Sequence, residues 1–348
     1  YRPGHGSRKK QFMGTKTFRQ LTTFRVGGRI KHFFNVKTKK EVVRAVSFAK
    51  KNKLPIFIIG GGSDILVSDS PYQGVVIKYG GESISFVGSV VTSEAGVVWD
   101  KLVEETVNKG LQGIECLSGI PGSVGGAPIQ NIGAYGQELK DTFVGLIAYD
   151  IKKEKFVTFS KKDCEFGYRE SFFKKPAGWQ KFIITDVTLS LKKDALATVK
   201  YDSLKNYLRE KDIDNPSLIQ AREAVLKIRE TKFENPKDVG NAGSFFKNPI
   251  IDGKSAKLLR QKYADIPCRL QEDGNYKCSA GWLIEQAGWK GKRRKKAQVS
   301  PRHALVLINP EGKATAKEVK ELAEKISQDV YKKFGVKLEP EVQYIGFK

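Results

Sequence analysis

Residues 118–136 read SGIPGSVGGAPIQNIGAYG, and no other stretch constrains the chain as much. Its six glycines and two prolines exclude an amphipathic helix, because both residue types break helices. Glycine also reaches positive φ and lets a large ligand lie directly on peptide N–H groups. Gln130, Asn131 and Tyr135 are interleaved where they can hydrogen-bond a flat polar ring. A surface loop is the plainer reading. A solvated linker, however, would not carry Ile120, Val124, Ile129 and Ile132 at intervals along the segment. The stretch therefore reads as a buried bed for a cofactor.

The 348 residues suffice for two or three domains with ample core. Hydrophobic residues make up 40% and charged residues 29%, an ordinary globular balance. No apolar run is long enough to cross a bilayer, so no membrane partner is expected. The formal charge of +24 is spread along the chain, and only residues 290–296 (KGKRRKK) form a dense block. Charge distributed in this way marks a solvated surface that favours a polyphosphate substrate, and nucleic acid is not the expected partner. The opening segment is basic and free of acids, and is expected to be mobile over residues 1–14. Cys116, Cys164, Cys268 and Cys278 form no C-x-x-C, and His5, His32 and His303 have no ligand spacing. No metal is expected, and four reduced thiols in a cytoplasmic protein are.

In chain order, residues 40–53 read as a surface helix and residues 54–59 (LPIFII) as a short apolar strand. GGGSDIL follows at once, a strand-then-glycine turn suited to a diphosphate. It is no Rossmann fingerprint, because Ile65 stands where the third glycine belongs. Residues 74–78 and 89–93 suit strands, residues 98–108 a helix, residues 143–160 a hairpin and residues 182–191 a strand. This mixture lacks a clean βαβ rhythm and favours α+β over a doubly wound sheet. Further on, Ser217 with Gln220 and Thr315 with Glu318 make capping boxes that open helices. Residues 241–249 read as a compact turn-rich stretch and residues 304–308 as a buried strand. Residues 338–346 read as an irregular or edge strand, limited by Pro340.

Three polar stretches suit chemistry. FGYRES offers Arg169 as a fork for a carboxylate. NAGSFFKNP sets Ser244 between Gly243 and two phenylalanines, a dry setting for a proton donor. Glu339 and Glu341 alternate near the end, either of them a candidate acid or polarising group.

Taken together and in order, GGGSDIL, SGIPGSVGGAPIQNIGAYG, CEFGYRES, NAGSFFKNP, ALVLIN and LEPEVQYIG resemble the UDP-N-acetylenolpyruvoylglucosamine reductases, over roughly residues 22–346. The resemblance implies an FAD enzyme of peptidoglycan precursor synthesis, which takes hydride from NADPH. It would reduce UDP-N-acetylglucosamine enolpyruvate to UDP-N-acetylmuramate. It implies Ser244 as the general acid, Glu341 as the carboxylic acid that polarises the enol ether, and Arg169 as the clamp on the substrate carboxylate. FAD would rest on Gly60, Gly61, Gly62, Ser63 and Asp64. The longer bed would contribute Ser118, Gly119, Ile120, Pro121, Gly122, Gly125, Gly126, Gln130, Asn131, Gly133, Ala134, Tyr135 and Gly136. Substrate would meet Tyr168, Tyr201, Lys232, Asn248 and Lys290, with Tyr201 marking the subtype that closes a tyrosine loop over the UDP group. Asp64 and His303 depart from the family pattern, standing where Asn and Gln are expected.

The expected architecture is an α+β flavoprotein of three domains with a non-Rossmann FAD fold. Residues 15–80 with 334–348 and residues 81–233 would hold FAD, and residues 234–333 would bind substrate. The cleft between domains is the expected site. A cytoplasmic monomer is expected.

Overall fold

The structure, a computed structural model, describes residues 13–347, so most of the basic opening segment lies outside the described residues. By internal contacts the chain divides into two compact units. The first takes residues 13–16, Ile30–Gly62 and Tyr72–Arg229. The second takes Thr17–Arg29, Ser63–Pro71 and residues 230–347.

The first unit carries two sheets. One orders the strands Met13–Thr17, Arg29–Val36, Tyr72–Tyr79 and Ile56–Ile59, the last three mutually parallel. The helix Lys39–Lys51 makes the crossover between Arg29–Val36 and Ile56–Ile59. Thr38 caps it by accepting from the Glu41 N–H, and Val42, Ala45, Val46 and Ala49 are its buried stripe. A parallel βαβ unit thus opens a chain whose pattern does not announce one. Ile30, Phe33, Phe34 and Val36 are buried along the first of these strands, and two of them are adjacent. A parallel strand covered on both faces gives that pattern instead of strict alternation.

The other sheet is antiparallel, in the order Lys155–Ser160, Phe143–Asp150, Phe182–Ser190, Val90–Glu94 and Ile84–Val87. The expected hairpin and the strand after it are both here. The helix Trp99–Asn108 buries Trp99, Leu102, Val103 and Val107 in the same core as the two sheets. Its Trp99 indole N–H donates to the Leu117 carbonyl at 3.0 Å, which ties the helix to the start of the glycine-rich stretch.

The second unit is built on the helix Ala316–Phe334. The expected Thr315–Glu318 capping box opens it, and Gly335 at φ 68° ends it. Val319, Leu322, Ala323, Ile326 and Val330 are buried. An antiparallel sheet runs in the order Gly240–Ser244, Val306–Asn309, Ala297–Val299 and Arg293–Arg294. The strand Gln343–Ile345 pairs in parallel with Ile65–Val67. Residues 241–249, read as turns, begin instead as an edge strand with a register shift between Asn241 and Ser244.

The cysteines correct one expectation. Cys268 and Cys278 lie directly opposite each other in the hairpin of Cys268–Leu270 and Tyr276–Cys278, and they form a disulfide. Cys116 and Cys164 are the free pair, and burial pushes each thiol up to about 12. Among the described residues no helix is long and apolar enough to cross a membrane.

Candidate active site

Within the first unit the two glycine-bearing loops touch. The strand Ile56–Ile59 runs into residues 60–62. A β-carbon on Gly61 would lie 2.6 Å from the Gly122 α-carbon, and one on Gly60 would lie 2.9 Å from Ser123 Oγ. Glycine is therefore a packing requirement at position 61, where the opposing atoms are backbone. The apolar residues of the long stretch anchor it: Val124 and Ala127 are buried, and Ile120 and Ile129 pack on the same core. The bed is therefore not a solvated linker.

Hydrogen bonding sorts its amides. The N–H groups of Val124, Gly125 and Gly126 are taken by the carbonyls of Val97, Ala95 and Ser123. Gly119 donates to Asp100. Those of Gly61, Ile120, Gly122 and Ser123 have no hydrogen bond among the described residues. Unspent amides on two abutting glycine loops are the donor set a diphosphate needs. Gln130 Oε1 is buried with no hydrogen-bond partner among the described residues. A ring N–H would satisfy this acceptor. The residues present thus fit a flavin dinucleotide.

Asn131 serves the frame. Its Nδ2 donates to Glu138 and to the Gly167 carbonyl, both at 3.0 Å, and its Oδ1 accepts from the Lys140 N–H. It holds φ 46°, and Tyr135 holds φ 48°, both in the left-handed region. Tyr135 meets Tyr201 edge-on at 5.9 Å between ring centroids. Burial pushes the Tyr135 hydroxyl pKa up. Arg169, at φ 54°, lies over the Tyr168 ring and donates to the Gly133 carbonyl at 2.6 Å. The bed, Tyr168, Arg169 and Tyr201 thus belong to one unit.

In the second unit Ser244 ends the edge strand opposite Val306. Asn241 shapes the approach: its amide donates to the Glu234 and Val239 carbonyls and its oxygen accepts from Gly243 N–H at 2.9 Å. Gly243 takes φ 69°. The Glu341 N–H donates to the carbonyl of Phe245 at 2.8 Å, and Phe246 bridges Pro340. The chain therefore brings Ser244 and Glu341, distant in sequence, onto neighbouring segments. Phe245 and Phe246 beside them are each 1% exposed.

Asn248 Oδ1 accepts from the Ala280 N–H at 3.0 Å. Lys290 is exposed and pairs with Glu285. Burial pushes the His303 imidazole pKa down, helped by the charges of Lys232 and Lys290. Its Nδ1 accepts from Leu305 N–H at 3.3 Å, and its ring lies against Phe233. Ser63 and Asp64 also fall in this unit, where the Asp64 carbonyl accepts from Gln343 N–H.

Asp100, Arg222 and Arg229, gathered around Gly119, went unread in the sequence. The signal was available: two arginines seven residues apart interrupt the apolar stripe of the helix Leu218–Lys232.

Residues 235–345 match the family model for the UDP-N-acetylenolpyruvoylglucosamine reductase C-terminal domain, and residues 30–160 match an FAD binding domain. The UDP-N-acetylenolpyruvoylglucosamine reductase of Pseudomonas aeruginosa is 39% identical over 93% of this chain and 96% of its own. That of Ralstonia nicotianae is 39% identical over 92% and 95%. The crystal structure of the Thermus caldophilus enzyme covers 96% of this chain and 100% of its own, with 27% identity and a TM-score of 0.68. With both halves of the chain matched and the likeness running nearly end to end, this chain belongs to the UDP-N-acetylenolpyruvoylglucosamine reductase family.

Proposed function

We propose that this FAD-dependent oxidoreductase reduces UDP-N-acetylglucosamine enolpyruvate to UDP-N-acetylmuramate at the expense of NADPH, a step of peptidoglycan precursor synthesis. FAD, when bound, supplies the hydride relay, which side chains cannot provide. The chain binds, orients and moves a proton. The unspent amides of Gly61, Ile120, Gly122 and Ser123 would hold the dinucleotide, and Gln130 Oε1, unpaired among the described residues, would accept from its ring. Arg169 clamps the substrate carboxylate and stabilises the charge that builds on it as hydride arrives, an effect of roughly a few kcal/mol. The Ser244 hydroxyl delivers the proton to the α-carbon, and protonated Glu341 polarises the enol ether. Lys232, Asn248 and Lys290 meet the sugar nucleotide. Tyr201 closes over its UDP end, on the reading that the chain is of the tyrosine-loop subtype; Tyr201 is 41% exposed, and its ring meets Tyr135 edge-on.

The observation that carries this reading is the bond from Glu341 N–H to the Phe245 carbonyl, which sets the carboxyl segment beside Ser244. We further assign FAD binding to residues 15–80 with 334–348 and to residues 81–233, and substrate binding to residues 234–333, in a cytoplasmic monomer. The test is NADPH consumption by the purified yellow protein. Oxidation that requires the enolpyruvyl UDP-sugar supports the proposal. Oxidation that proceeds equally without it, with oxygen as acceptor, refutes it.

A further inference from the structure

Gly119 is held on both sides by charged side chains from two helices. Its N–H donates to Asp100 Oδ1 at 2.6 Å. Its carbonyl accepts from Arg229 Nε at 3.1 Å. Asp100 lies in the first turn of the helix Trp99–Asn108. Its two oxygens take a fork from Arg222, at 2.6 and 2.9 Å. The Arg222 side chain is 10% exposed and that of Asp100 33%, so the fork is partly desolvated, and removing one partner leaves the other unpaired. Gly119 itself sits at φ 69°, and a β-carbon there would come within 2.9 Å of Leu226 and 3.1 Å of Arg229.

The peptide fixed in this way immediately precedes the unspent amides of Ile120, Gly122 and Ser123. An amide cradle binds an anion only if its N–H groups converge before the anion arrives, since ordering them afterwards subtracts from affinity. We propose that Asp100, held by Arg222, is a positioning residue that presets the dinucleotide cradle by fixing the Gly119 peptide. Burial alone would raise the Asp100 carboxyl pKa. The hydrogen bonds from Arg222 and Gly119 outweigh it, and the group stays an anion. The inference rests on placing FAD on the two glycine loops.

The test titrates FAD into apoprotein and follows quenching of flavin fluorescence. Asp100→Ala weakens FAD binding roughly 10- to 100-fold, the range for losing a charge-assisted hydrogen bond. Asp100→Asn recovers part of this loss, because its amide oxygen accepts the same Gly119 N–H while the Arg222 fork is lost. Wild-type affinity in Asp100→Ala overturns the proposal. So does a loss in Asp100→Asn as large as that in Asp100→Ala, which would mean that the bond to the Gly119 N–H does not set the cradle. If Asp100→Ala does not fold, Arg222→Lys gives the reading, since it keeps the charge and loses the fork: weaker FAD binding supports the proposal and wild-type binding overturns it. Gly61→Val separates the two levels. Wild-type FAD affinity there overturns the placement of FAD, and this inference with it. Loss there with Asp100→Ala unaffected overturns this inference alone.

Discussion

Gly61→Ala probes the contact on which the cofactor bed depends. The added carbon would lie 2.6 Å from the Gly122 α-carbon, 2.9 Å from its carbonyl carbon and 3.1 Å from the Ser123 nitrogen. All three are backbone atoms, so no side-chain rotation relieves the clash. Carbon atoms rest at about 3.5–4.0 Å, so the two loops must part by about 1 Å. Overpacking of this kind costs about 1–3 kcal/mol. The separation also spreads the unspent amides of Gly61, Gly122 and Ser123, which the proposed site requires to converge on one diphosphate. Binding FAD must bring the parted loops back together, which costs up to the same 1–3 kcal/mol, or up to roughly a 5- to 150-fold rise in Kd. The matched control is Gly126→Ala, where the nearest atom is Ser123 Oγ at 3.7 Å and the fold should be unaffected. Urea melts of both apoproteins, with FAD titration of Gly61→Ala, make the comparison. If Gly61→Ala melts with Gly126→Ala and binds FAD as wild type does, the loops do not form one cradle.

Three further predictions follow the same logic. Arg169→Lys keeps the charge and loses the planar fork, so kcat/KM for the enolpyruvyl substrate should fall roughly 10- to 100-fold while FAD content holds; equal kcat/KM in steady-state assays would remove Arg169 from the carboxylate. The His303 imidazole has its folded pKa held below its unfolded value of about 6.5 by burial, then by Lys232 and Lys290, against the opposing Glu285 and Glu234. Its stability contribution is complete above about pH 6.5 and is lost as pH falls toward the depressed folded pKa, because the unfolded chain takes up the proton first; His303→Gln should flatten that slope in urea midpoints, and an unchanged slope would refute it. Thiol titration of the denatured chain without reductant should find only Cys116 and Cys164 reactive, and all four cysteines after reduction.

What the sequence revealed and what it hid have separate physical causes. Residues 118–136 could be read because glycine and proline together leave few conformations, and apolar residues within such a stretch demand a core. The helix Ala316–Phe334 could be read because its cap, stripe and terminal glycine are all local signals. The strand Arg29–Val36 was not announced, because a strand buried on both faces loses its alternation. The Cys268–Cys278 disulfide depends on hairpin register, which no cysteine count gives. The neighbourhood of Ser244 and Glu341 came only through resemblance; its physical basis, a backbone bond from Glu341 to Phe245, is long-range. Asp100, Arg222 and Gly119 meet only once two helices and a loop have packed.

The most direct test separates the two half-reactions of Ser244→Ala by stopped flow. Bleaching of the flavin by NADPH should proceed at close to the wild-type rate, because no proton from Ser244 is needed there. Reoxidation by the enolpyruvyl UDP-sugar should slow by roughly 10²- to 10⁴-fold, the usual worth of a positioned general acid. Equal loss in both halves, or unimpaired reoxidation, would contradict the assignment of Ser244 as the proton donor.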